Sequence, residues 1–102
     1  MNTNKKTLWM GNLPNWMNFD NLYEFLRKEN IFPHKINIKT LSNKKRCAFL
    51  EFYSYNDAEA VLNKYNGKII NGVQMQLNWS NSSPTKFNNN YVNKFTVTYF
   101  NL

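Results

Sequence analysis

This 102-residue chain has few of the residues that covalent chemistry needs. Its single cysteine, Cys47, cannot form an internal disulfide, which fits a reducing compartment. Its single histidine, His34, has no cysteine or carboxylate at ligand spacing, so no metal centre and no cofactor are expected. Three glycines leave little room for a loop that cradles phosphate. No run approaches the roughly 18 apolar residues of a membrane span. The first fifteen residues lack the apolar core of a signal peptide, so no membrane partner is expected. Acidic residues are scarce too: six Asp and Glu face thirteen Lys and Arg, a formal charge of +7. A chain of this length forms one domain, burying roughly 60–70% of its unfolded surface.

A surplus of positive charge favours polyanionic partners, nucleic acid ahead of an anionic membrane, unless it only keeps the chain soluble. Where the charges fall decides between these. Thr7 to Asn12 (TLWMGN) reads as a strand. Asn18 can cap the helix FDNLYEFLRKEN, with Met17 and Leu22 placed as a hydrophobic staple and Phe19, Leu22, Tyr23 and Leu26 forming its apolar stripe. Pro33 stops that helix. His34 to Thr40 alternates, with Ile36 and Ile38 inward and Lys35, Asn37 and Lys39 outward. The next strand, in KKRCAFLEF, directs Ala48, Leu50 and Phe52 inward and Lys45, Cys47, Phe49 and Glu51 outward. Ser54 and Asp57 read as a capping box opening a second helix, YNDAEAVLNKYN, which Asn66-Gly67 ends. After an Asn71-Gly72 turn, Val73 to Ser80 (VQMQLNWS) reads as one strand, with Met75, Leu77 and Trp79 inward and Gln74, Gln76 and Asn78 outward.

The order β-α-β-β-α-β predicts an α+β, ferredoxin-like fold: a four-stranded antiparallel sheet with two helices on one face. Each helix has one apolar stripe, so the other sheet face is left open. Trp9, Phe49 and Cys47 stand on that face among Lys35, Lys39, Lys45, Asn37, Gln74, Gln76 and Asn78. Arg46 can reach either way, and Trp16 reads as a lid on the core. Five of the six acids (Asp20, Glu24, Glu29, Asp57 and Glu59) fall on the helices, whereas ten of the thirteen bases lie off them. Charge that only solubilised the chain would have no reason to segregate in this way. Rings on a basic sheet face suit single-stranded RNA, because rings stack on unpaired bases and cations follow the phosphates.

Two stretches carry a family resemblance. LWMGNL (Leu8 to Leu13) resembles the second ribonucleoprotein motif of the RNA-recognition motif family, and KRCAFLEF (Lys45 to Phe52) resembles the first. NDAEAVLNKYNG resembles the family's second helix and LNWS its fourth strand, so the likeness covers residues 7 to 80. Within the family, TLWMGNL with LNWS is most similar to the tRNA selenocysteine-associated group and to splicing-type members with several such domains. The resemblance implies stacking positions at Trp9 and Phe49 and a phosphate contact at Lys45. Further contacts are expected from Arg46, Lys39, Asn37, Gln76, Asn78 and Trp79. Arg46 stands where the family has glycine, and Cys47 where it has a ring. Losing one of three stacking platforms weakens binding by about five- to a hundredfold, partly offset if the Arg46 guanidinium stacks. Such a domain would bind single-stranded RNA with modest affinity, in a nuclear or nucleocytoplasmic protein of splicing or tRNA metabolism.

Other classes fit less well. The acylphosphatases share the topology but need a phosphate cradle after the first strand, where LPNWMN has neither arginine nor glycine; the chain is not expected to be an enzyme. A member that binds ribonucleoprotein partners through its acidic first helix is the main alternative. The expected organisation is a tail at 1–6, the motif at 7–81, a linker at 82–94 and an apolar strand at 95–102. VTYFNL in that last segment echoes LWMGNL, as the first strand of a truncated second domain would. Otherwise it is this domain's own strand, crossing the RNA face, pairing with an edge or swapping into a dimer of an otherwise monomeric protein.

Overall fold

Eight elements follow one another through residues 5–80, the part described by a computed structural model. They are β1 (Thr7–Met10), α1 (Phe19–Lys28), β2 (Lys35–Thr40), β3 (Arg46–Glu51), α2 (Tyr55–Tyr65), β4 (Ile69–Ile70), β5 (Val73–Gln74) and β6 (Leu77–Trp79). The expected linker and C-terminal strand, and most of the N-terminal tail, lie outside the described residues. β2, β3, β1 and β6 make one antiparallel sheet in that order. This is the ferredoxin-like arrangement expected from the element order.

Short-range chemistry sets the helix ends. The Asn18 side chain accepts from the Asn21 amide at 2.9 Å, and the Asn21 side chain accepts from the Asn18 amide at 3.1 Å. This reciprocal box is flanked by Met17 and Leu22, both fully buried, as a staple requires. At α2 the Ser54 hydroxyl accepts from the Asp57 amide at 3.1 Å. The chain leaves α2 through Gly67 at φ +88°, a left-handed conformation that favours glycine.

The inner face of the sheet contributes Leu8, Met10, Ile36, Ala48, Leu50 and Leu77 to the core. Phe19, Leu22, Phe25 and Leu26 of α1 and Ala58 and Tyr65 of α2 close over it. Phe25 takes a core place expected of Tyr23, which is only half-buried. The Tyr65 hydroxyl donates to the Glu29 carbonyl at 2.8 Å and ties the ends of the two helices together.

Two expectations are corrected. Val73 to Ser80 is two strands, not one. β5 pairs back on β4 across Asn71 and Gly72, whose φ angles are +51° and +79°. Both central residues of a tight hairpin turn need positive φ, and this pair adopts it readily. Only after Met75 and Gln76 does the chain join the main sheet as β6. The second correction concerns Trp16, which is 63% exposed. The Met17 amide donates to the Pro14 carbonyl at 3.0 Å, and this turn sends Met17 into the core and Trp16 outward.

Asn66 links α2 to the sheet, because its Oδ1 accepts from the Leu77 amide at 2.9 Å. Asn66→Ala leaves that part-buried donor without its acceptor. It is expected to cost about 1–3 kcal/mol in urea unfolding. Leu50→Ala, in the fully packed centre, is expected to cost about 2–5 kcal/mol.

Candidate nucleic-acid interface

Strand register lays the open face out in rows. The central row runs Asn37, Phe49, Trp9, Asn78 across β2, β3, β1 and β6. The row on one side is Lys39, Cys47, Gly11, Gln76: Lys39 pairs with Cys47, and the Gly11 amide donates to the Gln76 carbonyl at 2.9 Å. The row on the other side is Lys35, Glu51, Thr7, Ser80. Two rings thus stand side by side in the middle, with an amide at each end of their row. No helix among the described residues covers this face.

Alternation sends Cys47 to this side of the sheet, yet it is only 2% exposed, contrary to the exposure expected of it. The indole N–H of Trp9 is directed at its sulfur. Burial raises the thiol's pKa above the ordinary value, against smaller lowering effects from the Trp9 hydrogen bond and the Lys39 charge. Asn37 is corrected likewise: it faces the expected way but is 4% exposed. Its cross-strand partner is Phe49, so a short amide sits beside a large ring.

Arg46 lies at the start of β3 with the inward parity of Ala48 and Leu50. Its Nη1 donates to the carbonyls of Pro14 at 2.9 Å and Asn15 at 3.2 Å. The guanidinium clamps the loop between β1 and α1, so the expected stacking or phosphate contact gives way to an internal role. Trp79 is corrected as well. Its register partner is Leu8, on the core side, and its ring stacks on Tyr55 of α2 at 5.0 Å and 9°. The alternation within LNWS already pointed inward; the Tyr55 ring is what gives the indole its place there.

Lys39 and Lys45 are exposed, Lys39 at the end of β2 and Lys45 just before β3. The Lys45 carbonyl accepts from the Leu41 amide at 2.7 Å, which fixes the backbone that carries its ammonium group. Gln76 Oε1 accepts from Asn12 Nδ2 at 3.0 Å. Asn78 is exposed, and its Oδ1 accepts from the Trp79 amide at 2.8 Å. Reasoning from sequence missed two features at this end of the sheet: the Arg46 clamp and the exposed Trp16 beside it. An arginine in place of a small residue next to a loop with free carbonyls was the available signal for the clamp.

No group of three or more His, Cys, Asp or Glu among the described residues is arranged to hold a metal. No helix among them is long and apolar enough to cross a membrane. The acidic groups other than Glu51, which stands in an outer row of the open face, keep to the helix side. Glu24 there pairs with Arg27 at 2.9 Å, and that hydrogen bond lowers the pKa of its carboxyl. Both side chains are about half exposed, so the pair contributes little to stability.

Comparison with known proteins agrees with this fold. A sequence profile described as the RNA recognition motif matches residues 8–76. The chain is 32% identical over 85 residues to polyadenylate-binding protein RBP47 of Nicotiana plumbaginifolia, covering 76% of this chain and 19% of that protein. Among solved structures, it is similar to the N-terminal three RNA-binding domains of the yeast splicing factor Prp24. The TM-score there is 0.63 at 27% identity, over 80% of this chain and 35% of that one. The fold is also that of a chain in the Snu17p–Pml1p structure, an intermediate of RES complex assembly. That match has a TM-score of 0.70 at 10% identity, over 97% of this chain and 86% of that one.

Two outcomes follow from these contacts. Arg46→Met removes both bonds to the loop carbonyls and is expected to cost about 1–2 kcal/mol of stability, with amide shifts at residues 13–17. His34 lies at the other end of the sheet, where burial lowers its pKa below 6.5 against a raising effect from Glu51. Below pH 6.5 the unfolded chain therefore takes up a proton that the native imidazole resists. Stability is full above about pH 6.5 and falls as the pH drops towards the native pKa. The melting temperature should decline slightly from about pH 7.5 to about pH 5.5, and His34→Gln should flatten that decline.

Proposed function

The chain belongs to the RNA recognition motif family, and from that premise we propose that it binds single-stranded RNA by stacking bases on Trp9 and Phe49 while Lys39 and Lys45 hold phosphates. The observation that carries this reading is the central row, two rings paired across β1 and β3 on a face that no described helix covers. Every base has a face that stacks on a ring, and phosphates follow cations. Asn78 and Gln76 lie where a base edge would pass, each able to donate and accept. Members of this family are typically binding modules, which supports a binding role for this face.

A wider role follows from the relatives. The chain spans about a fifth of RBP47 and about a third of the Prp24 fragment, which supports a protein with several such domains. The likeness of VTYFNL to LWMGNL supports a second domain beginning near residue 95. Prp24 is a splicing factor, so pre-mRNA splicing is the role we favour, with tRNA-related metabolism next. A nuclear or nucleocytoplasmic protein fits either.

One observation favours a second reading, a surface for ribonucleoprotein partners. Phe32, Tyr53 and Ile69 are 54%, 61% and 72% exposed, and all lie outside the four strands of the main sheet. The two readings separate in one titration. Short random single-stranded RNA is added to the labelled 102-residue chain. Amide shifts should cluster at Trp9, Phe49 and Asn78. Phe49→Ala should weaken binding by about five- to a hundredfold, and added salt should weaken it further. RNA binding that ignores Phe49→Ala would move the function to the partner surface.

A further inference from the structure

Cys47 occupies the place where the resemblance expects a ring, and a thiol there reads at first as a lost platform. The geometry around Trp9 says otherwise. A Cβ added to Gly11 would lie 2.1 Å from Cη2 of Trp9, 2.7 Å from Cζ2 and 2.8 Å from Cζ3. All three atoms belong to the six-membered ring, so that ring lies directly on the Gly11 backbone. Gly11 follows Trp9 by two residues on β1, and the register that pairs Met10 with Ala48 sets Gly11 opposite Cys47. The indole therefore leans out of the central row into the next one, its N–H directed at the Cys47 sulfur. That is why a thiol on the open face is only 2% exposed.

We propose that Gly11 and Cys47 are positioning residues that hold the Trp9 indole flat across two rows of the sheet, so that it fills the place of the missing ring and presents one broad platform to a base. This rests on the RNA-binding reading above. A side chain at 11 strikes the ring, and an aromatic at 47 occupies the space it uses. Flat indole, glycine and small thiol thus require one another. Adding a ring at 47 therefore removes a platform instead of restoring one.

The test uses the 102-residue chain, whose only thiol is Cys47. Without RNA, labelling by a disulfide reagent should be slow. Gly11→Ala and Trp9→Phe should each speed it by about tenfold, because neither leaves an indole lying over the sulfur. Amide spectra establish that each variant is folded. Unchanged labelling in both folded variants would overturn the proposal. With RNA, Gly11→Ala and Cys47→Phe should each weaken binding by about fivefold or more. The indole resonance of Trp9 should also shift in the free variants. Tighter binding by Cys47→Phe would show that the thiol is simply a lost ring and would overturn the proposal. If the unmodified chain binds no RNA, the RNA-binding reading fails, and the labelling rates alone decide whether Gly11 and Cys47 hold the indole.

Discussion

Everything in this molecule depends on the register between β1 and β3. Leu8 stands opposite Leu50 and Met10 opposite Ala48, and all four are fully buried beneath the helices. Trp9 stands opposite Phe49 on the other side. Core and candidate interface are two faces of the same few hydrogen-bonded pairs. A slip of β1 by one residue against β3 would turn Trp9 into the core and present Leu8 and Met10 to water. The packing energy of the inner face thus holds the outer face in place. The register sets Trp9 and Phe49 opposite each other, and local contacts then orient each ring.

This dependence explains how much could be read directly from the sequence. Period-two alternation reports which face a side chain takes, and the structure keeps every face assigned in β1, β2 and β3. It does not report what lies against the side chain once it is there. Cys47 and Asn37 face the expected way yet are buried, because burial on an open sheet depends on neighbours across strands. Trp9 lies over Cys47, and Phe49 pairs with Asn37. The split of Val73 to Ser80 has a related cause. Its alternation is regular, but the backbone at Val73 pairs with Ile70 across the Asn71-Gly72 turn before the main sheet can claim it. Local pairing across a two-residue turn costs little chain entropy, and pairing to β1 costs more.

The charges follow the same two-sided logic. The acids Asp20, Glu24, Asp57 and Glu59 sit on α1 and α2, while Lys35, Lys39, Lys45 and Arg46 belong to β2, β3 and the loop between them. Arg46 shows that a position in the basic stretch does not determine a role. Its guanidinium meets two backbone carbonyls within reach, and an internal pair of charge-assisted bonds has none of the entropic cost of capturing a phosphate from solution. The clamp still serves the face. Leu13 donates to the Arg46 carbonyl at 3.0 Å, so the loop after β1 is held at the edge of the row that carries Gly11 and Cys47.

The proposed platform of one broad indole and one phenyl ring would have consequences for affinity. Each stacked base contributes about 1–3 kcal/mol, so two stacks and a few phosphate contacts give micromolar binding at best for a domain acting alone. A second domain on the same chain, as proposed, would change this without any new contact. Once one domain is bound, the other meets its nucleotides at millimolar effective concentration, and overall binding strengthens by about 10²–10⁴. Weak stacking in each domain then becomes useful. Either domain of such a pair would release and rebind quickly while the pair stayed attached, and so could test successive stretches of RNA before settling on one. A face with three full rings would hold each stretch longer and search more slowly. A small thiol at Cys47 with a flat indole over it would suit a domain that works alongside others.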